Sequence, residues 1–187
     1  MMNTDAKLYG DLSRVLVTRE EIAQAVAKLG RQITEDYQGK ELMLVGILKG
    51  AIVFFSDLLR EIDLPVKTEF MAVSSYGAST KTTGVVNLVK DLTVDITGMH
   101  VLIVEDIVDS GMTLSYLSKY LSTRGAASIK IATLLDKPER RRVDLKADYF
   151  CFTIPDEFVV GYGLDYDEKY RNLPDIGVLD PKVYSGK

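Results

Sequence analysis

Apolar residues in this chain come in unbroken runs, not in strict alternation. The stretches 42–48 and 101–104 are almost wholly Leu, Ile, Val and Met, and 128–135 is rich in Ile, Ala and Leu. Runs of this length predict strands buried on both faces, as in parallel sheets. Between them the apolar period lengthens to that of a helix. Thr18 and Glu21 form a capping-box pair, and Ile22, Val26, Leu29 and Ile33 then predict a helix reaching about Tyr37. The segment 51–62 predicts a second helix. Leu114, Leu117 and Leu121 share one face of a third over 113–123, with Gly125 as its stop. Residues 14–17 and 147–154 predict further strands, and 66–75 with 85–89 the two arms of a hairpin. Strand alternating with helix predicts an α/β fold, a twisted and mainly parallel sheet flanked by helices, in one domain over residues 1–187.

The polar residues that close these strands carry the chemistry. Run 101–104 ends in Glu105 and Asp106, then Asp109, then Ser110-Gly111-Met112-Thr113 at the start of the third helix. Carboxylates at the end of a buried strand need a cation or ligand hydroxyls facing them. A small polar turn ahead of a helix offers backbone N–H groups and hydroxyls to a phosphate. Both features sit at the carboxyl end of a strand, where open α/β sheets bind ligands. Strand 42–48 likewise ends in Lys49-Gly50, a cation and backbone donors in the equivalent place, although a plain strand-to-helix turn would use the same glycine. Segment 74–84 is poor in apolar residues and rich in hydroxyls. It reads as an exposed loop, or as a lid pivoting on Gly77 and Gly84 that shuts water from a reacting centre.

Composition narrows the function. The net charge of −4 and the pI near 5.1 argue against a nucleic-acid-binding surface. The single cysteine, Cys151, leaves no intrachain disulfide and is expected to be an inert core thiol. His100, the sole histidine, is expected at the surface ahead of its strand, outside any catalytic role. The run Glu139-Arg140-Arg141-Arg142 reads as solvated surface. No signal peptide and no apolar run of about 18 residues is evident, so no membrane partner and a cytoplasmic location are expected. Neither G-x-G-x-x-G nor the Walker glycines and lysine are present, which removes the dinucleotide and P-loop readings.

Glu105-Asp106-Ile107-Val108-Asp109-Ser110-Gly111-Met112-Thr113 resembles the phosphoribosyl-pyrophosphate (PRPP) loop of the type I phosphoribosyltransferases. Leu48-Lys49-Gly50 resembles that family's pyrophosphate loop. Ser75-Tyr76-Gly77-Ala78-Ser79-Thr80 is similar to the flexible catalytic loop of its hypoxanthine-guanine branch. Pro155-Asp156-Glu157-Phe158-Val159-Val160-Gly161-Tyr162, Leu164-Asp165-Tyr166 and then Arg171 look like the base-binding region of the same branch. The four features occur in the family's order and span nearly the whole chain. Met112 stands where the PRPP loop often carries lysine, in a cradle made mainly of backbone.

The resemblance implies a Mg²⁺-dependent enzyme of purine salvage. It would move the 5-phosphoribosyl group of PRPP to hypoxanthine or guanine, giving IMP or GMP and pyrophosphate. Asp109, Ser110, Gly111, Met112 and Thr113 would hold the 5′-phosphate, with Asp109 also the acid–base group at purine N7. Glu105 and Asp106 would hold the ribose hydroxyls and Mg²⁺. Lys49, Gly50 and Arg171 would meet the pyrophosphate. Lys137, Phe158, Val159 and Asp165 would bind the purine, Asp165 also approaching a second Mg²⁺. Ser75 and Tyr76 would belong to the lid over 74–84, and the N-terminal segment with about 155–187 to a small hood. A homodimer or homotetramer is expected on the same ground. Two alternatives stay open: a PRPP-fold regulator that binds RNA, and a transferase for another base, xanthine or a pyrimidine.

Overall fold

The structure, a computed structural model, describes residues 8–75 and 86–185. Its centre is a six-stranded sheet in the order β4-β3-β2-β5-β6-β7. The strands are β2 (Leu42–Leu48), β3 (Val66–Ser75), β4 (Val86–Lys90), β5 (His100–Val108), β6 (Ser128–Asp136) and β7 (Tyr149–Thr153). All neighbours run parallel except β3 and β4, which form the expected hairpin.

The unbroken apolar runs are explained by what lies on each side. Leu42 and Leu44 of β2, with Leu102 and Val104 of β5, face one core together with helices α1 (Arg19–Asp36) and α2 (Ile52–Glu61). Met43, Val45 and Ile47, with Val101 and Ile103, face a second core under helix α3 (Met112–Ser122). Successive residues of a strand thus enter opposite cores, each buried aliphatic side chain contributing about 1.5–3 kcal/mol. The expected capping box opens α1: Thr18 Oγ1 accepts from Glu21 N, and Glu21 Oε2 accepts from Thr18 N at 2.8 Å.

A second, three-stranded antiparallel sheet has the order β1-β9-β8, from β1 (Leu12–Val17), β8 (Val159–Val160) and β9 (Ile176–Leu179). It joins the first and last described strands. Tyr9 and Arg19 both donate to Asp175, Arg19 Nη2 at 2.8 Å, and so pin this sheet to the start of α1.

Two surface expectations are corrected. His100 is the first residue of β5 and is half-buried, its Nδ1 2.7 Å from Ser128 Oγ and its ring edge-on to Tyr37. A strand end covered by a neighbouring strand and a helix C-terminus is not surface. Arg141 turns inward from the basic run. Its Nη1 donates to the carbonyls of Val108 at 3.0 Å and Asp109 at 2.6 Å, and its guanidinium pairs with Asp136. Three acceptors at adjoining strand ends outweigh hydration of one charge, because a planar fork can serve them together. Cys151 packs half-buried beside the first core, and burial pushes its thiol up to about 12.

Candidate active site

The carboxyl ends of β2, β5 and β6 converge, and each carries part of the site. At the end of β5, Asp106 is only 7% exposed. Glu105 beside it has Oε2 buried with no hydrogen-bond partner. Burial pushes the Glu105 carboxyl well above the usual carboxylate range, and the adjacent Asp106 charge adds to the effect. Burial raises Asp106 too, while its own hydrogen bonds and the charge of Arg171 oppose the rise. A pair of acids in this condition favours a cation in its vicinity.

No group of three or more metal-ligating side chains occurs among the described residues. That donor set suits Mg²⁺, which takes one or two carboxylates and fills its remaining positions with water and substrate oxygens. The orphaned Glu105 oxygen is the observation that supports the fit.

Beyond the acids the chain turns sharply. Ser110 Oγ accepts from Met112 N at 3.4 Å, and Gly111 adopts a left-handed φ of 78° as the N-cap of α3. Only the freedom of glycine lets β5 pass into α3 over a single turn with the amides of 111–113 left at the helix start. This turn, Glu105 and Asp109 line a cleft of about 270 Å³ together with Ile47, Leu48 and Val73.

At the end of β2 the Leu48–Lys49 peptide bond is cis. Gly50 lies directly against Asp106, and a β-carbon there would collide with Oδ2. The carbonyl of Gly50 in turn excludes a β-carbon at Gly163, whose φ is 102°. Arg171 reaches the same place: its Nη1 donates to Gly163 O at 2.8 Å and its Nη2 pairs with Asp165 Oδ1 at 2.9 Å. Lys49, exposed, pairs with Glu168 at 3.1 Å. The expected pyrophosphate residues Lys49, Gly50 and Arg171 are therefore brought together with Asp106 and Asp165.

On the other side, Lys137 follows β6 and is 6% exposed. Its Nζ donates to Glu157 O at 2.8 Å and lies 3.6 Å from Asp156 Oδ1. Arg140 links Asp156, at 3.5 Å, to Asp109, at 3.3 Å. A chain of alternating charge, Asp109–Arg140–Asp156–Lys137, thus joins two expected site residues. Phe158 keeps 42% of its surface exposed while its ring packs on Tyr166 and Tyr184. An exposed aromatic held by other rings is a stacking platform. Val159 is buried in β8.

Ser75 ends β3; Tyr76 and the rest of the expected lid lie outside the described residues. Three residues now central were given no role from the sequence, Arg140, Gly163 and Glu168, and Asp156 had only a place in the base-region motif. Only Gly163 carried a local signal, as a glycine within a run of apolar and aromatic residues.

Acids at the end of β5, the turn into α3 beside them and a lysine–glycine turn on the neighbouring strand suit a ligand that carries both phosphate and hydroxyl groups. Residues 16–167 match the phosphoribosyl transferase domain, and the chain belongs to that family. Within it, the chain is 58% identical over 178 residues to the hypoxanthine-guanine phosphoribosyltransferase of Streptococcus pneumoniae, covering 95% of this chain and 99% of that one. It is 54% identical to the enzyme of the same name from Mycobacterium avium, covering 96% and 92%. The crystal structure of a hypoxanthine phosphoribosyltransferase from Staphylococcus aureus superposes with a TM-score of 0.93 at 51% identity, covering 98% of this chain and 99% of that one.

Proposed function

We propose that this chain transfers the 5-phosphoribosyl group of PRPP to N9 of hypoxanthine and guanine, releasing pyrophosphate and forming IMP and GMP. The observation that carries the reading is the buried, orphaned Glu105 carboxylate beside Asp106, between the phosphate turn and the Lys49-Gly50 turn. Mg²⁺ is the cofactor, and a cytoplasmic homodimer or homotetramer is the working form. Among the described residues no helix is long and apolar enough to cross a membrane.

The amides and hydroxyls of 110–113 bind the 5′-phosphate and fix the ribose at one end. Glu105 and Asp106 hold the ribose hydroxyls, so that C1 faces the base for in-line attack. Glu105 and Asp106 would also hold Mg²⁺, which would supply positive charge for the leaving group. Lys49, the Gly50 amide and Arg171 supply the remainder as the C1–O bond lengthens. Asp109 takes or shares the purine N7 proton, raising electron density at N9. Lys137 donates to the 6-oxygen, a position where adenine would present N–H to a cation. Phe158 stacks on the ring, the Val159 backbone reads its edge, and Asp165 orients Arg171 while approaching the exocyclic edge or a second Mg²⁺.

The test is a spectrophotometric assay with PRPP and Mg²⁺, offering hypoxanthine, guanine, xanthine, adenine and uracil separately. Product from hypoxanthine or guanine and none from adenine is expected. PRPP binding without product from any base would overturn the reading in favour of a nucleotide-responsive regulator.

A further inference from the structure

The loop between β8 and β9 contains a device that the proposed reaction leaves unexplained. Asp167, Glu168 and Tyr170 have φ of 54°, 59° and 74°. Left-handed backbone is uncommon away from glycine and persists where the surroundings impose it. Here it presents one side chain. Glu168 N donates to Asp165 Oδ2 at 2.9 Å, which fixes the backbone. The carboxylate then spans two cations from different parts of the chain: Oε2 lies 3.1 Å from Lys49 Nζ, and Oε1 lies 3.5 Å from Arg171 Nη2. Among the described residues, Glu168 is the acid that pairs with both.

Those two cations are the ones the proposed reaction assigns to pyrophosphate, so the inference rests on that reading. Each Glu168 oxygen takes one cation, as two oxygens of a diphosphate would. The pair is also easy to open, since Lys49 and Glu168 keep 68% and 65% of their side-chain surface exposed. An exposed pair is weak, whereas a buried one resists the loss of a partner. Asp165 differs: it orients Arg171 and the loop backbone.

We infer that Glu168 is an internal stand-in for pyrophosphate, holding Lys49 and Arg171 in place in the free enzyme and giving way to the diphosphate when ligand binds. It positions the two cations, weakens binding of any diphosphate at that place, and reclaims the cations as product leaves. Purine binding is not part of this exchange.

The test compares wild type with Glu168→Gln, which keeps size and loses charge, and with Glu168→Asp, which keeps charge and loses reach. Inorganic pyrophosphate with Mg²⁺ is titrated calorimetrically and as an inhibitor against PRPP. In E168Q, pyrophosphate should bind about fivefold tighter, with the KM for PRPP falling in parallel and the KM for hypoxanthine unchanged. The gain should shrink at high salt, and E168D should lie between the two. Unchanged or weaker pyrophosphate binding in E168Q, from a wild type that makes nucleotide, would overturn this inference alone. A wild type that makes no nucleotide would remove the reading beneath it.

Discussion

Gly50 and Asp106 are in contact across the ends of neighbouring strands β2 and β5, with no room for a β-carbon between them. The contact couples the turn assigned to pyrophosphate with the acid assigned to ribose and Mg²⁺. Gly50→Ala would push the Asp106 carboxylate out of line by roughly the size of a methyl group. A displacement near 1 Å at a positioned group costs roughly 10²-fold in rate. We expect kcat/KM for PRPP to fall by about that factor while circular dichroism stays native. Activity within twofold of wild type would show that the contact can relax.

Asp109→Asn keeps the shape of the side chain and removes its basicity. Turnover should fall by roughly 10²–10⁴, with modest change in either KM. Wild-type turnover would take Asp109 out of the acid–base role and leave it as the partner of Arg140.

Lys137→Ala should abolish use of 6-oxopurines, a loss of roughly 10²-fold or more in kcat/KM, while PRPP binding stays within twofold. The buried Nζ already lies against Glu157 O, so the donor is oriented before base arrives. Equal use of adenine and hypoxanthine by wild type, or undiminished hypoxanthine use by the variant, would refute its selecting role.

Arg141→Ala removes three hydrogen bonds from beneath the turn assigned to the 5′-phosphate and leaves Asp136 without its cation. Loss of one partner from a largely buried pair costs about 3–5 kcal/mol. Urea denaturation should show a loss of that order, and the KM for PRPP should rise more than that for the base. Arg141→Lys should rescue poorly, because an ammonium cannot serve the fork of acceptors.

Glu69 on β3 sets an acid limit. It accepts from Thr93 Oγ1 at 2.6 Å, from its neighbour Phe70 N at 2.9 Å and from Lys90 Nζ at 2.9 Å, which hold its carboxyl down to about 2. A carboxyl lowered on folding stabilises above its unfolded pKa, near 4.3, and that contribution fades as pH falls through the native value. The effect is on the order of 1–2 kcal/mol after allowance for solvent screening. The melting temperature of wild type should drop between pH 5 and 2 more steeply than that of Glu69→Gln. Parallel curves would assign the acid limb to other groups.

The sheet was readable from residue pattern because its strands bury both faces, and few other structures place four to seven apolar residues in a row. The strand-end chemistry was readable because acids, lysine, glycine and hydroxyls interrupt those runs abruptly. Arg141 was not: a guanidinium looks the same in sequence whether it meets water or three carbonyls. Glu168 was hidden for a related reason, since its partners, Lys49 and Arg171, are defined by folding and not by spacing. The pairing of β1 with β9 leaves no local trace, and the reading of 74–84 as a lid lies mostly outside the described residues.

The small sheet ties Leu12 to Leu179 and Val17 to Ile176, so its ladder closes only when both ends of the chain are present. The six-stranded sheet has no such requirement, as all its strands precede residue 154. During synthesis the N-terminal part emerges first and can begin to fold before the rest. A chain ending ahead of Ile176 would therefore keep the strands that carry Glu105, Asp106 and the 110–113 turn, while Val159 and Val160 of β8 lack their ladder partners. The contacts assigned to Phe158 and Val159 would be among the last such a chain acquires, and a stop codon in β9, a buried strand, should weaken them while the turn from β5 into α3 keeps its place.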